Sequence, residues 1–158
     1  MMDLNGVTAL VTGAGSGMGA ATAKALAKRG ARVAIVDLNL ESAQQTADSI
    51  NGLALGADVS SGESVEVALQ QVVNELGAPR VVVSCAGIAA ASRIVGREGP
   101  HELDLYQRVI NVNLVGTFNV LRLTAERMSA LDPVSDSGAR GVIVNTASVA
   151  AYDGQIGQ

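Results

Sequence analysis

Cysteine, histidine and aromatic residues are nearly absent from this chain, and each scarcity closes off a class of function. Cys85 is the only cysteine in 158 residues. No intrachain disulfide can form, and a reducing, cytoplasmic compartment is expected. His101 is the only histidine, and one His with one Cys cannot assemble a metal site of ordinary ligand count. Aromatics make up 2% of the chain against 48% for all apolar residues, which leaves Ala, Val, Leu and Ile to build the core. No apolar run approaches the roughly 18 residues that a membrane-spanning helix needs. The start, Met1 to Gly6, has no basic segment leading into an apolar one, so no secretory signal is expected. A net charge of −4 offers no basic footprint for nucleic acid or for an anionic membrane surface.

Glycine, by contrast, is plentiful. Most of the 18 glycines punctuate apolar runs instead of clustering in polar tracts, which suits tight turns and close backbone packing. Val7–Val11 is a compact apolar run, the glycine-rich residues 13–19 follow, and Ala20–Arg29 consists of strong helix formers with Gly30 placed to cap their end. Arg32–Val36 reads as a second strand ending at Asp37, Glu41–Ile50 as a polar-faced helix, and Leu53–Ala57 as a third strand ending near Asp58. Ser60 or Ser61 caps a helix in which Val65, Ala68, Leu69, Val72, Val73 and Leu76 recur at helical spacing until Pro79 breaks it. Arg80–Ser84 is a fourth strand and residues 86–100 a loop. Leu105, Val109, Val112, Gly116, Val120 and Leu123 line one stripe of a long helix. Asp132–Gly141 is a polar loop, and Val142–Thr146 a fifth strand.

Strict alternation of strand and helix implies a parallel sheet covered on both faces. With right-handed crossovers this is the doubly wound, Rossmann-type α/β fold, its strands ordered 3-2-1-4-5. No repeat and no linker divides the chain, so residues 1–158 are expected to form one dinucleotide-binding domain.

Thr12-Gly13-Ala14-Gly15-Ser16-Gly17-Met18-Gly19 lies between the first strand and the first helix. Missing Cβ atoms there let the backbone approach a pyrophosphate, and the helix N-terminus aims free N–H groups and its positive dipole end at the charge. Asp37 follows 24 residues after Gly13, at the end of the second strand. A carboxylate in that position accepts hydrogen bonds from both ribose hydroxyls and opposes the extra phosphate of NADP. Neither Ser16 nor Leu38 is a cation that could receive that phosphate, so the expected cofactor is NAD.

These features resemble the short-chain dehydrogenase/reductase family along essentially the whole chain. Thr12, Gly13, Gly17 and Gly19 fit its Thr-Gly-x-x-x-Gly-x-Gly pattern, and Ser84-Cys85-Ala86-Gly87 stands where the family commonly has Asn-Asn-Ala-Gly. Gly141 to Ala151, continuing into Asp153-Gly154-Gln155, is similar to the type II 3-hydroxyacyl-CoA dehydrogenases, as is Cys85 in place of asparagine. The resemblance implies an NAD-dependent oxidoreductase that moves a hydride between NAD and a secondary alcohol or ketone, a 3-hydroxyacyl-CoA in this subfamily. It also implies a small-molecule substrate and a homo-oligomer. Cofactor contacts would come from Gly13, Ser16, Gly17, Met18, Gly19 and Asp37. Asp58 would face the adenine amino group, Val59 would contribute backbone, and Cys85, Ala86 and Gly87 would line the site. A hydroxysteroid dehydrogenase or a 3-oxoacyl reductase are further members that such a chain resembles.

Two more residues take roles from the resemblance. Asn113 is an amide in mid-helix, which needs partners if buried and is otherwise structural. The family makes it the residue that orients a helix kink and a water in a proton relay. Ser148 follows the fifth strand, where a serine most often begins a loop. In the family its hydroxyl bonds the substrate oxygen and stabilises charge as hydride moves. His101, at a helix start after Pro100, reads as a cap or surface residue, and Cys85 as a small lining residue instead of a nucleophile.

The family's general acid/base pair, Tyr-x-x-x-Lys, does not occur: four residues past Tyr152 stands Ile156. Tyr152 also lies too near Ser148 for the family's spacing. The sequence is therefore expected to be a piece of a longer protein, with the C-terminal part of the fold missing. A non-catalytic dinucleotide-binding protein is the alternative.

Overall fold

The computed structural model describes residues 3–154. Met1 and Met2 of the amino terminus, Gln155 of the dehydrogenase-like segment and Ile156 lie outside the described residues.

Five strands form one parallel sheet: β1 (Thr8–Thr12), β2 (Arg32–Asp37), β3 (Leu53–Gly56), β4 (Val81–Ser84) and β5 (Val142–Asn145). Their order is β3-β2-β1-β4-β5, the doubly wound arrangement that the alternation predicts. α1 (Gly17–Lys28) and α2 (Leu40–Asp48) cover one face, and α3 (Gly62–Leu76) and α5 (Thr117–Ser129) the other. Side-chain alternation divides the strands between two cores. On β2, Val33 and Ile35 face an alanine-rich layer with Ala23, Ala43 and Ala47, while Ala34 and Val36 face Leu69, Val72 and Val120. Alanine on the first layer brings α1 and α2 close to the sheet. Larger side chains fill the second, where Arg127 on α5 and Glu66 on α3 also pair.

Helix boundaries depart from expectation for identifiable reasons. α1 starts at Gly17, three residues before Ala20, because the glycine turn winds directly into it and Ala20 N–H donates to Ser16 O at 3.0 Å. α2 begins at Leu40 under an unforeseen N-cap: Asn39 Oδ1 accepts Ser42 N–H at 3.1 Å. Of the two candidate caps of α3, Ser61 is the one that acts, accepting Ser64 N–H at 3.3 Å, whereas Ser60 is held by Asp58 Oδ1. Pro79 does not end that helix. Gly77, at φ +82, already does, its N–H donating to Val73 O.

The long helix is not a single α-helix. α4 (Leu103–Ile110) runs through a π-helical turn, Asn111–Gly116, into α5. The wider turn resets the helical phase. Gly116 and Val120 of the expected stripe are buried, and the buried face continues through Asn119, Thr124 and Met128. Beyond α5, Arg80 Nη1 donates to the carbonyls of Asp132 at 2.9 Å and Arg140 at 2.8 Å, which fastens the loop that leads into β5. Among the described residues β5 is an edge strand, and its Val142 and Val144 are 44% and 50% exposed.

Candidate functional site

At the carboxyl ends of β1, β2, β3 and β4 lies a cavity of about 730 Å³. That volume falls within the usual span of small-molecule sites, about 300–1,000 Å³. In its wall stand Gly13, Ser16, Gly17, Met18 and Gly19 from the first turn, Asp37 from β2, Asp58 and Val59 after β3, and Cys85, Ala86 and Gly87 after β4. These are all eleven of the expected cofactor contacts.

The turn leaves no space for side chains at three of its glycines, Gly13, Gly15 and Gly19. A Cβ on Gly19 would lie 2.2 Å from Gly13 O, and one on Gly13, at φ +62, would lie 2.7 Å from the backbone of Ala86. Gly17, at φ +52, has open space before it. Ser16 is the N-cap of α1, yet its side chain makes no capping bond, and no acidic residue occupies the first turn. The N-terminus of a twelve-residue helix is thus open to the cavity and suited to an anion. At the opposite side Asp37 Oδ2 accepts Gly15 N–H at 2.9 Å and Oδ1 accepts Asn39 N–H at 3.0 Å. Two carboxylates, Asp37 and Asp58, and no Lys, Arg or His stand among the lining residues. The residues present fit a dinucleotide: glycines too crowded to carry side chains, helix N–H groups for a pyrophosphate, and a carboxylate for a ribose.

Sequence reasoning missed six lining residues: Val36, Leu38, Asn39, Ala57, Ile88 and Val112. The first four flank Asp37 and Asp58, and their places at strand ends could have indicated them. Val112 enters from the π-helical turn and had no such signal.

Residues 7–158 match the sequence profile described as short chain dehydrogenase. The chain belongs to that family. It is 46% identical, over 98% of its length, to 3-hydroxyacyl-CoA dehydrogenase type-2 of Drosophila melanogaster, of which it covers 62%. To the protein of the same name from Bos taurus it is 45% identical over 99% of its length, covering 61%. The crystal structure of 3-hydroxyacyl-CoA dehydrogenase type-2 from Mycobacterium avium matches the whole chain with a TM-score of 0.90 at 37% identity, and 63% of that protein is covered. The chain therefore spans about three fifths of the length of these relatives.

In this short-chain dehydrogenase chain, Asn113 and Ser148 do not line the cavity. Asn113 lies within the π-helical turn and clasps Ile88 in both directions: its Oδ1 accepts Ile88 N–H at 2.9 Å and its Nδ2 donates to Ile88 O at 2.8 Å. Its own carbonyl accepts the Thr117 hydroxyl at 2.7 Å. The amide thus fastens the helix to the loop that carries Cys85, Ala86 and Gly87. Ser148 caps a short 3₁₀ turn, Val149–Ala151, its Oγ accepting Ala150 N–H at 3.2 Å. Because Oγ is the acceptor there, its proton stays free for another partner. Cys85 Sγ receives the Thr146 hydroxyl at 3.7 Å, a link between the ends of β4 and β5. His101 precedes α4 by two residues and does not cap it. Its Nδ1 lies 2.8 Å from Glu102 O.

Proposed function

We propose that this short-chain dehydrogenase chain binds NAD, and that the protein transfers a hydride between NAD and a secondary alcohol or ketone of the 3-hydroxyacyl-CoA class. The observation that carries the cofactor choice is the charge of the cavity wall, which holds the Asp37 carboxylate and not one cation. A 2′-phosphate would meet repulsion and find no partner. The ribose hydroxyls of NAD would meet an acceptor that has lone pairs to spare. The substrate class rests on similarity to proteins named 3-hydroxyacyl-CoA dehydrogenase type-2. Family resemblance carries the further proposals of a homotetramer and of a place in fatty acid metabolism, and the single cysteine carries that of a cytoplasmic compartment.

Within this reading Gly13, Ser16, Gly17, Met18 and Gly19 hold the pyrophosphate, Asp37 the ribose, and Asp58 with Val59 the adenine. Cys85, Ala86 and Gly87 shape the far end. NAD, when bound, supplies the hydride acceptor. Ser148 donates its free proton to the substrate oxygen and stabilises charge there. Asn113 sets the π-helical turn and the Ile88 loop beside the reacting end. Proton transfer belongs to a Tyr-x-x-x-Lys pair, which the 158 residues do not contain.

A dinucleotide-binding protein without catalysis is the second reading. Calorimetric titration of the chain with NAD and NADP, together with a turnover assay on a 3-hydroxyacyl-CoA in a protein that carries Tyr-x-x-x-Lys, separates the two. NAD binding with turnover supports the dehydrogenase, NAD binding without turnover supports the binding protein, and absence of NAD binding removes both.

A further inference from the structure

We infer that Asn119, which lies outside the cavity, is the positioning residue for its adenine-facing wall. The inference rests on the dinucleotide reading and concerns the segment Asp58–Ser61. That segment is a tight turn closed by Ser61 N–H on Asp58 O at 3.1 Å, and where the turn sits depends on the bonds that tie it to the helices. Asp58 N–H donates to Ser64 Oγ on α3 at 3.0 Å. Ser60 bonds back to Asp58 Oδ1, and Ser61 to the first turn of α3. A further hold, the one that reaches the Val59 carbonyl, comes from α5. Asn119 Nδ2 donates to Val59 O at 2.9 Å and to Ser61 O at 3.2 Å, from a side chain that is 4% exposed.

The opposite end of the same amide is fixed too. Asn119 Oδ1 accepts two bonds from Arg122, Nε at 3.1 Å and Nη2 at 2.7 Å. A guanidinium can only donate and a carbonyl can only accept, so just one orientation of the amide satisfies all four contacts. No other side chain of that size offers two donors on one side and an acceptor on the other. Aspartate would retain Arg122 but turn lone pairs towards the carbonyls of Val59 and Ser61. One turn earlier on the same rod, Gly116 makes room for Val59: a Cβ at Gly116 would lie 2.7 Å from Val59 Cγ2. The rod from α4 to α5 therefore grips the cavity wall twice, through Asn113 at Ile88 and through Gly116 and Asn119 at Val59. The two grips are independent, because they hold loops that follow different strands.

This division predicts a selective defect. Loss of the Asn119 bonds should let Val59 and Asp58 shift, and so blunt recognition of the adenine base in particular. The measurement is the dissociation constant of the chain for NAD and for nicotinamide hypoxanthine dinucleotide, in which an oxygen replaces the adenine amino group. Wild type should prefer NAD by about tenfold, the scale of one hydrogen bond left unmade. Asn119→Asp should weaken NAD by about tenfold and bring the ratio of the two constants close to one. Arg122→Ala removes an exposed side chain and leaves Asn119 Oδ1 without its two donors, so the amide is held from one end only. It should move both quantities the same way by about threefold, and it decides the matter if Asn119→Asp fails to fold by circular dichroism. Equal weakening of both dinucleotides, with the ratio kept, would mean a purely structural role and would overturn the inference. So would wild-type affinity and ratio in Arg122→Ala when Asn119→Asp is unfolded, or in both folded variants. If wild type binds neither dinucleotide, the dinucleotide reading itself has failed.

Discussion

Asp37 Oδ2 accepts the backbone N–H of Gly15 at 2.9 Å, so the acid proposed to hold the ribose also braces the turn proposed to hold the pyrophosphate. The contact requires glycine: a Cβ on Gly15 would lie 2.9 Å from that same oxygen. A carboxylate has about four lone-pair directions, and the bonds to Gly15 and Asn39 occupy two of them.

The two roles of Asp37 should separate by substitution. Asp37→Asn removes the charge and keeps one of two acceptor oxygens, so it should relax a preference for NAD over NADP of about tenfold or more and lose one backbone bond, about 1 kcal/mol. Asp37→Ala should relax the preference as well, and lower stability by about 2 kcal/mol through the loss of both bonds, to Gly15 and to Asn39. Dissociation constants for both dinucleotides and a urea unfolding curve for each variant make the comparison. Equal binding of NAD and NADP by wild type would remove the cofactor assignment.

Gly19→Ala tests the turn itself. A methyl group forced to within 2.2 Å of Gly13 O must displace backbone, since no flexible side chain is there to yield. Overpacking of this kind costs about 1–3 kcal/mol, which in a chain of this length shifts Tm by about 2–4 °C per kcal/mol. NAD binding should fall below detection. A melting curve and an NAD titration like those of wild type would show that the turn opens freely and is no preformed cradle.

Ser148→Ala, made in a protein that carries Tyr-x-x-x-Lys, should reduce kcat by about 10²–10³, the usual loss when one donor to a developing negative charge is removed. NAD affinity should stay near the wild-type value, because Ser148 is absent from the cavity wall. Activity within about threefold of wild type would leave Ser148 as the cap of its 3₁₀ turn and nothing more.

The 158-residue polypeptide by itself should show no turnover of a 3-hydroxyacyl-CoA and should self-associate. Among the described residues β5 pairs only with β4, and its outer edge is apolar and half-exposed at Val142 and Val144. Such an edge is a template for strand addition. Val144→Lys should lower the aggregated fraction in sedimentation velocity while leaving NAD binding unchanged. A monodisperse, catalytically active wild-type polypeptide would contradict both halves of this prediction.

Much of the fold and site was legible in the chain because both follow from local order. Alternating strand and helix signals with right-handed crossovers leave few sheet topologies, and 3-2-1-4-5 was among them. Ligands of such sheets bind at the carboxyl ends of strands, so Gly13–Gly19 and Asp37 could be named from the ends of apolar runs, while Asp58, Val59 and Cys85–Gly87 were named by the family resemblance. Local chemistry settled less where two neighbours were equivalent. Ser60 and Ser61 were both plausible caps, and Gly77 ended α3 before Pro79 could.

What only the tertiary structure decided concerns residues distant in sequence. The π-helical turn at Asn111–Gly116, the clasp of Asn113 on Ile88 and the grip of Asn119 on Val59 and Ser61 left no mark in hydrophobic periodicity. Periodicity records which face of an element is apolar. A polar side chain's partner is set by where a remote carbonyl comes to rest, and for Asn119 that carbonyl belongs to a residue 60 positions away.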